Sequence, residues 1–310
     1  MLLEEINKAT NKELKDKGLV SNILKEMKIL EIELDIYSSQ LKDSYYCLPE
    51  RPDISFYLLW MSVNRAYRDF YLKNKTMDSE TVMGAEMVNK ITNHLSDQIS
   101  STHTIESLMI EYINNYGEQM FNFISNIILK GLCTEKYCKE NSLTSKSYTT
   151  SQFKTMKNRF ENVVKAIEET YLKKYYDNLN DIKQDINKTK VLIESSAINH
   201  SILRSLSKQL SELLKREKVK FSQGSFFEEI QLSDNDFVMM YYQTLNAIRN
   251  SNIHGNGNSR LSSPNAKKKY MKSSEVTYLA AYFYFGLEMY MLGEVTLKDL
   301  SIFEENLKII

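Results

Sequence analysis

A chain of 310 residues in which 42% are hydrophobic can bury one large core or two ordinary ones, which excludes a disordered or low-complexity protein. Its 40 basic and 40 acidic residues cancel, so a broad, nonspecific coat for nucleic acid is excluded while a local basic site is not. Three prolines and nine glycines, set against twenty tyrosines and fourteen methionines, favour long helices with packed interiors, and the expected class is an all-α helical bundle.

The chain opens on Met-Leu-Leu-Glu-Glu, which has no signal-peptide pattern. The three cysteines, Cys47, Cys133 and Cys138, are an odd number in a sizeable chain. Both features point to a reduced, cytoplasmic setting. Over the first 48 residues, Ile23, Met27, Leu30, Leu34 and Tyr37 give a helical stripe. Pro49 and Pro52 punctuate the chain, and Asp53 is placed to cap a core helix over Ile54–Lys75 that holds Trp60. Helices are expected over Met77–Ser100 and Thr104–Lys130.

The polar run 131–150, with Cys133, Cys138 and Asn141-Ser-Leu-Thr-Ser-Lys-Ser, is the best boundary. It divides an N-terminal helical region, 1–145, from a C-terminal helical domain, 146–310. A charged helical tract is expected from Ser151 to Asn199, with Phe153, Met156, Phe160, Val163, Val164 and Ile167 on one face. An amphipathic stretch from Ile202 to Val219 follows, and Ser222-Gln-Gly-Ser marks a turn before Phe226-Phe227. Ser233-Asp234-Asn235 is an N-cap signal for the next helix.

That helix leads into Asn246-Ala-Ile-Arg249-Asn250-Ser-Asn-Ile-His254-Gly255-Asn256. Gly255 to Ser259, with Pro264 beyond, reads as a loop, and Lys267-Lys268-Lys269 follows as the densest basic cluster. Val276–Leu292 is strongly apolar, but it is short of the roughly 20 residues a span requires and is interrupted by Glu288. It reads as a core helix packed against the motif helix, with no membrane role.

Within the motif helix, Val238, Tyr241, Leu245 and Ile248 are expected to face the core, with Arg249 at the edge of that stripe. One further helical turn would stack His254 over Asn250, and Gly255 would end the helix. Arginine clamps phosphate through parallel hydrogen bonds. Histidine moves protons near neutral pH, and a helix C-terminus favours its charged form. The pair therefore suits phosphodiester chemistry.

The run Arg249-Asn250-x3-His254-Gly255, flanked by apolar helices, resembles the R-x4-6-H signature of the HEPN superfamily of helical ribonucleases and toxins. That resemblance implies a C-terminal HEPN-like bundle and cleavage of RNA without a metal or other cofactor, the 2′-hydroxyl attacking the adjacent phosphate. His254 would be the acid/base, Arg249 the phosphate clamp and Asn250 the residue that orients them. It also implies a homodimer with two motifs facing one cleft, a toxin or phage-defence role, and an antitoxin or other defence-system partner. Some HEPN toxins continue the motif as His-x-Tyr, with the Tyr as a modification site; Asn256 stands there in this chain. Lys267, Lys268 and Lys269 are candidate contacts to the RNA backbone.

The remaining candidates point to structure. His94, His103 and His200 are isolated, and Cys133 and Cys138 have no second pair, so no metal site is expected. No Gly-rich phosphate loop, Gly-x-Ser-x-Gly elbow or His-Glu-x-x-His motif occurs. The competing reading is a non-catalytic helical module that binds RNA or a protein.

Overall fold

A computed structural model describes residues 23–32, 35–74, 84–185, 189–253 and 268–310. These residues are mainly helical, with two small antiparallel hairpins, as the all-α class requires. The contacts group the chain into two compact units, one of residues 1–116 with 244–310, the other of residues 117–243. The position between 145 and 146 lies inside the second unit, because the helix Glu118–Glu140 packs on helices that come after it.

The first unit is built round one helix. Helix α1 (Asp35–Tyr46) packs on α2 (Pro52–Lys73), and α2 in turn packs on α3 (Gly84–Ser101) and, over the greatest extent, on α12 (Lys268–Leu292). Every residue from Glu275 to Met289 is buried. A helix that is apolar all round belongs inside a protein or inside a membrane; here it is a core helix. The neighbour expected for it was the motif helix, but its extensive partner is α2. Among the described residues no helix is long and apolar enough to cross a membrane.

Tyrosines let this core carry its own polar network. The Tyr282 hydroxyl accepts from the Leu30 backbone N–H at 2.5 Å and from the Tyr45 hydroxyl at 2.9 Å. Ser44 Oγ lies 3.1 Å from the Tyr278 hydroxyl and donates to the Ser55 carbonyl at the same distance. Buried hydroxyls demand such partners, and each ring still buries a large apolar face.

These bonds also explain why the expected stripe from Ile23 to Tyr37 is not one helix. Ile23–Lys25 forms a single 3₁₀ turn and residues 27–32 are irregular. Side chains from the far end of the chain satisfy that backbone instead. Lys28 N–H donates to Asn306 Oδ1 at 2.7 Å, and Asn306 Nδ2 donates to the Lys28 carbonyl at 3.0 Å.

Helix α2 begins two residues before the expected start, with Pro52 in its first turn where a missing N–H costs nothing. Asp53 does not cap it: its carboxylate takes two hydrogen bonds from Arg51, at 2.9 and 2.8 Å. The expected helix 104–130 is two helices, α4 (His103–Asn114) and α5 (Glu118–Glu140), separated at Gly117, whose backbone is extended.

The C-terminal helix α13 (Ile302–Leu307) docks on α12 through Phe303. The Phe303 ring meets those of Tyr282 and Phe283 edge-on, with both centroid separations 5.3 Å. Gly286 makes room for it, since a Cβ there would lie 2.4 Å from two ring carbons.

In the second unit α5 packs on α10 (Ala197–Leu214), with Ser125 and Ser207 hydroxyls 3.0 Å apart between them. Helix α5 takes up the first half of the segment read as a boundary, to Glu140. Gly131 belongs there because the buried Phe153 ring lies against its backbone; a Cβ would come within 2.1 Å of that ring. Short helices follow: α6 (Ser145–Tyr148), α7 (Ser151–Arg159), α8 (Glu161–Ile167) and α9 (Lys173–Asp177), with a π-helical turn at Glu168–Leu172.

The expected helix from Ser151 to Asn199 therefore ends at Asp177, and β1 (Leu179–Asp185) and β2 (Lys190–Ser195) pair antiparallel after it. The β-branched Val191 and Ile193 alternate along β2 in the two-residue period of a strand. The Tyr175 hydroxyl lies 2.8 Å from Ser195 Oγ, which ties β2 to α9. The second hairpin joins β3 (Val219–Gln223) to β4 (Phe226–Ile230) across Gly224-Ser225. Gly224 takes a φ of +60° at the turn expected there.

Candidate functional site

The motif helix α11 (Asp234–Ile253) starts where the sequence places it. Ser233 Oγ accepts from the Asp236 backbone N–H at 3.2 Å and donates to its carboxylate at 2.7 Å. Asp234 and Asp236 in the first turn complement the helix dipole. Arg216 anchors this end: it pairs with Asp234 and lies over the Phe237 ring, 5.6 Å from its centroid.

Residues Phe237 to Leu245 are all buried, including Val238, Tyr241 and Leu245 of the expected core stripe. Burial relaxes from Asn246 onward, and Ile248, Arg249 and Asn250 are partly exposed. The last turns of α11 thus leave the core at the residues whose chemistry is of interest.

Arg249 Nη1 donates to Asn250 Oδ1 at 2.7 Å. The amide after the arginine holds its guanidinium in one orientation and engages one of five N–H donors. His254 lies outside the described residues, as do the loop at 255–259 and Lys267. Lys268 opens α12 and is exposed; Lys269 is helical, and its side chain lies outside the described residues.

The structure adds residues from α2 that sequence reading missed. Tyr57 and Tyr67 both lie within the electrostatic field of Arg249. Burial pushes the Tyr57 hydroxyl up, Asp53 adds to that, and Arg249 opposes it. Burial likewise raises Tyr67, followed by Glu288, against the lowering effect of Arg249. The Tyr67 hydroxyl donates to Asn64 Oδ1 at 2.8 Å. That of Tyr57 is shielded from solvent and has no hydrogen-bond partner among the described residues. The sequence signal was faint: the segment Asn64–Asp69 has the look of an arginine-polar motif, but no histidine follows it at the needed spacing.

Glu288, the one charge in the apolar run of α12, is 1% exposed. Neither of its carboxyl oxygens finds a partner among the described residues. Burial lifts it well above the usual carboxylate range. Tyr37 and Tyr67 are the hydroxyls that feel its charge.

A carboxyl whose folded pKa is raised contributes most stability below its unfolded pKa of about 4.3, and loses it as pH rises through the folded value. Glu288→Gln, neutral throughout, is therefore expected to melt above wild type near neutral pH. The two melting curves should converge as pH falls toward about 4. A difference in melting temperature that stays constant across that range would contradict this account.

The other histidines have ordinary surroundings. The His94 ring lies 5.4 Å from that of Phe70, and His103 faces Glu106 at 3.8 Å. His200 is exposed. Cys133 and Cys138 are buried free thiols, and burial pushes Cys133 up to about 12. Among the described residues no three His, Cys, Asp or Glu side chains converge as a metal site would need.

Comparison with protein-family models, with curated proteins and with solved structures gives no match.

Proposed function

We propose that the chain is a metal-independent endoribonuclease of the HEPN type, acting as a toxin or phage-defence effector. The observation that carries this reading is the Arg249 guanidinium, held by Asn250 at 2.7 Å, where α11 emerges from the core. A fixed, partly exposed guanidinium is suited to a phosphodiester, and His254 follows at the motif spacing. In the reaction His254 moves the proton of the attacking 2′-hydroxyl or of the leaving 5′-oxygen, and Arg249 stabilises the charge that builds on the phosphate. The products are a 2′,3′-cyclic phosphate and a 5′-hydroxyl. With one motif per chain, two copies bring two motifs to one cleft, and an antitoxin or defence-system partner restrains the activity.

The test uses purified protein, labelled RNA and excess EDTA, with analysis of the product ends. Cleavage with cyclic-phosphate ends, together with a dimer by light scattering, is expected. Loss of cleavage in EDTA, or binding without cleavage, favours a metal-dependent enzyme or a non-catalytic RNA-binding module respectively.

Lys267, Lys268 and Lys269 touch the RNA backbone in this proposal. Replacing all three with alanine is expected to weaken binding and flatten its salt dependence. On a single strand the slope should fall by about 0.7 for every phosphate that is no longer neutralised. Affinities titrated over a range of salt would measure this, and an unchanged slope would remove the lysines from the site.

A further inference from the structure

We propose that β4 is a docking edge for an extended segment of another protein, which joins the β3–β4 hairpin as an antiparallel third strand and sets a lysine or arginine opposite Glu228. The proposal is independent of the nuclease reading and of the Arg249 site.

Hairpin geometry decides which backbone groups of β4 are in use. The loop Gly224-Ser225 closes on the pair of Gln223 with Phe226. The pair next to such a two-residue loop exchanges hydrogen bonds, and bonding then falls on alternate pairs, Phe221 with Glu228 and Val219 with Ile230. The N–H and C=O groups of the residues between them point away from the hairpin: Ser222 and Lys220 on β3, Phe227 and Glu229 on β4. The β3 side meets α10, where Gln209 Nε2 donates to the Lys220 carbonyl at 2.7 Å. On the β4 side, the outward backbone groups of Phe227 and Glu229 make no hydrogen bond among the described residues. A row of open donors and acceptors is a template for one more strand. Beside it the Phe227 side chain is 65% exposed.

The side chains set what that strand must carry. Successive residues alternate between the two faces of the hairpin. On the inner face Val219 and Phe221 of β3 are buried, and Phe226, Glu228 and Ile230 of β4 extend that face while each stays partly exposed. Phe226 and Ile230 thus leave apolar surface for an incoming strand to cover. Between them Glu228 has no ionic partner among the described residues. Glu229, on the outer face, is already served by Lys218 at 4.0 Å and Lys220 at 3.8 Å. In an antiparallel third strand, Phe227 and Glu229 form the hydrogen-bonded pairs, and Glu228 forms the non-bonded pair between them, where side chains approach most closely. A basic residue there neutralises the carboxylate, and apolar residues two positions to either side cover Phe226 and Ile230.

An inward-pointing charge on an edge strand discourages indiscriminate pairing. Here it also turns away a second copy, because β4 paired with itself about Glu228 would set two carboxylates opposite each other. The same charge selects a strand that brings the opposite sign.

The experiment uses the full chain and a fluorescein-labelled peptide, Thr-Val-Thr-Lys-Thr-Val-Thr. A second peptide carries glutamate in place of lysine, and a third is the lysine peptide N-methylated at the threonines on either side of the lysine. Affinity is read by anisotropy for wild type and Glu228→Lys, with melting temperature as the check on folding. We expect wild type to prefer the lysine peptide to the glutamate peptide by roughly 3–30-fold, and Glu228→Lys to reverse that order. N-methylation removes the amides that face Phe227 and Glu229, and should cost wild type about 10-fold or more.

Wild type that binds neither unmethylated peptide at millimolar concentration overturns the proposal. Equal affinity for the methylated peptide also overturns it, since binding would then not use the strand edge. A folded Glu228→Lys protein that keeps the wild-type preference does the same. If the lysine peptide dissociates a dimer seen by light scattering, the edge belongs to a second copy and the proposal falls.

Discussion

His254→Ala is expected to lower RNA cleavage by about 10²–10⁴-fold, the range over which a positioned acid/base contributes. Arg249→Ala should cost about 10²–10³-fold, because a preorganised donor at the developing charge is lost. Folding should survive the Arg249 change, since Arg249 is partly exposed and lies beyond the buried run of α11. Arg249→Lys separates charge from shape: lysine keeps the cation but not the planar fork, and the fork is what Asn250 holds. Asn250→Ala should fall between wild type and Arg249→Ala, because the guanidinium remains but is free to turn. Single-turnover cleavage of labelled RNA by each variant measures these effects. A His254→Ala protein that cuts at the wild-type rate would remove the histidine from the mechanism.

Phe303→Ala is expected to destabilise the first unit by about 3–5 kcal/mol, the usual cost of removing a buried aromatic ring. Phe303 is fully buried, at 0% exposed, and its ring fills the notch left by Gly286. Its backbone carbonyl also accepts from the Tyr112 hydroxyl at 3.1 Å. One residue thus joins α13, α12 and α4. Urea denaturation would report the loss, and a change below about 1 kcal/mol would show that α13 contributes little to this core. Filling the notch instead, with Gly286→Leu, should also destabilise, since overpacking a tight core typically costs about 1–3 kcal/mol.

The helical class was readable because few prolines or glycines interrupt the apolar stripes, and the start of α11 was readable because Ser233 caps it locally. The strands at 179–185 and 190–195 were not readable: they are short, and charged residues such as Asp181, Lys183, Asp185, Lys190 and Glu194 break up the apolar alternation that would mark them. Gly131 suggested a break, but it is the space beneath Phe153, a neighbour 22 residues away along the chain. Of the candidate site, Arg249 and Asn250 were visible through the run Arg249-Asn250-x3-His254-Gly255 and the apolar stretches on either side of it. Tyr57 and Glu288 were not, because what sets them apart is an absent partner, and partners are a property of three dimensions. Glu288 did leave a trace as the single acid in an apolar run, which the length rule for membrane spans treats only as an interruption.

The first unit is assembled from two separated stretches of chain, and this bears on how the protein is made. Lys73 on α2 donates to the Leu292 carbonyl at the end of α12, 219 residues later. A ribosome adding about 5–20 residues per second leaves α2 without its main partner for on the order of 10–40 s. Residues 117–243 are contiguous and can settle in that interval. The apolar face of α2 meanwhile depends on α1 and α3, or on chaperones, until α12 emerges. Arg249 lies before α12 in the chain, so the motif is translated before the helix that completes its unit. A nascent chain that stops short of α12 therefore carries Arg249 and Asn250 without the helix that completes their unit.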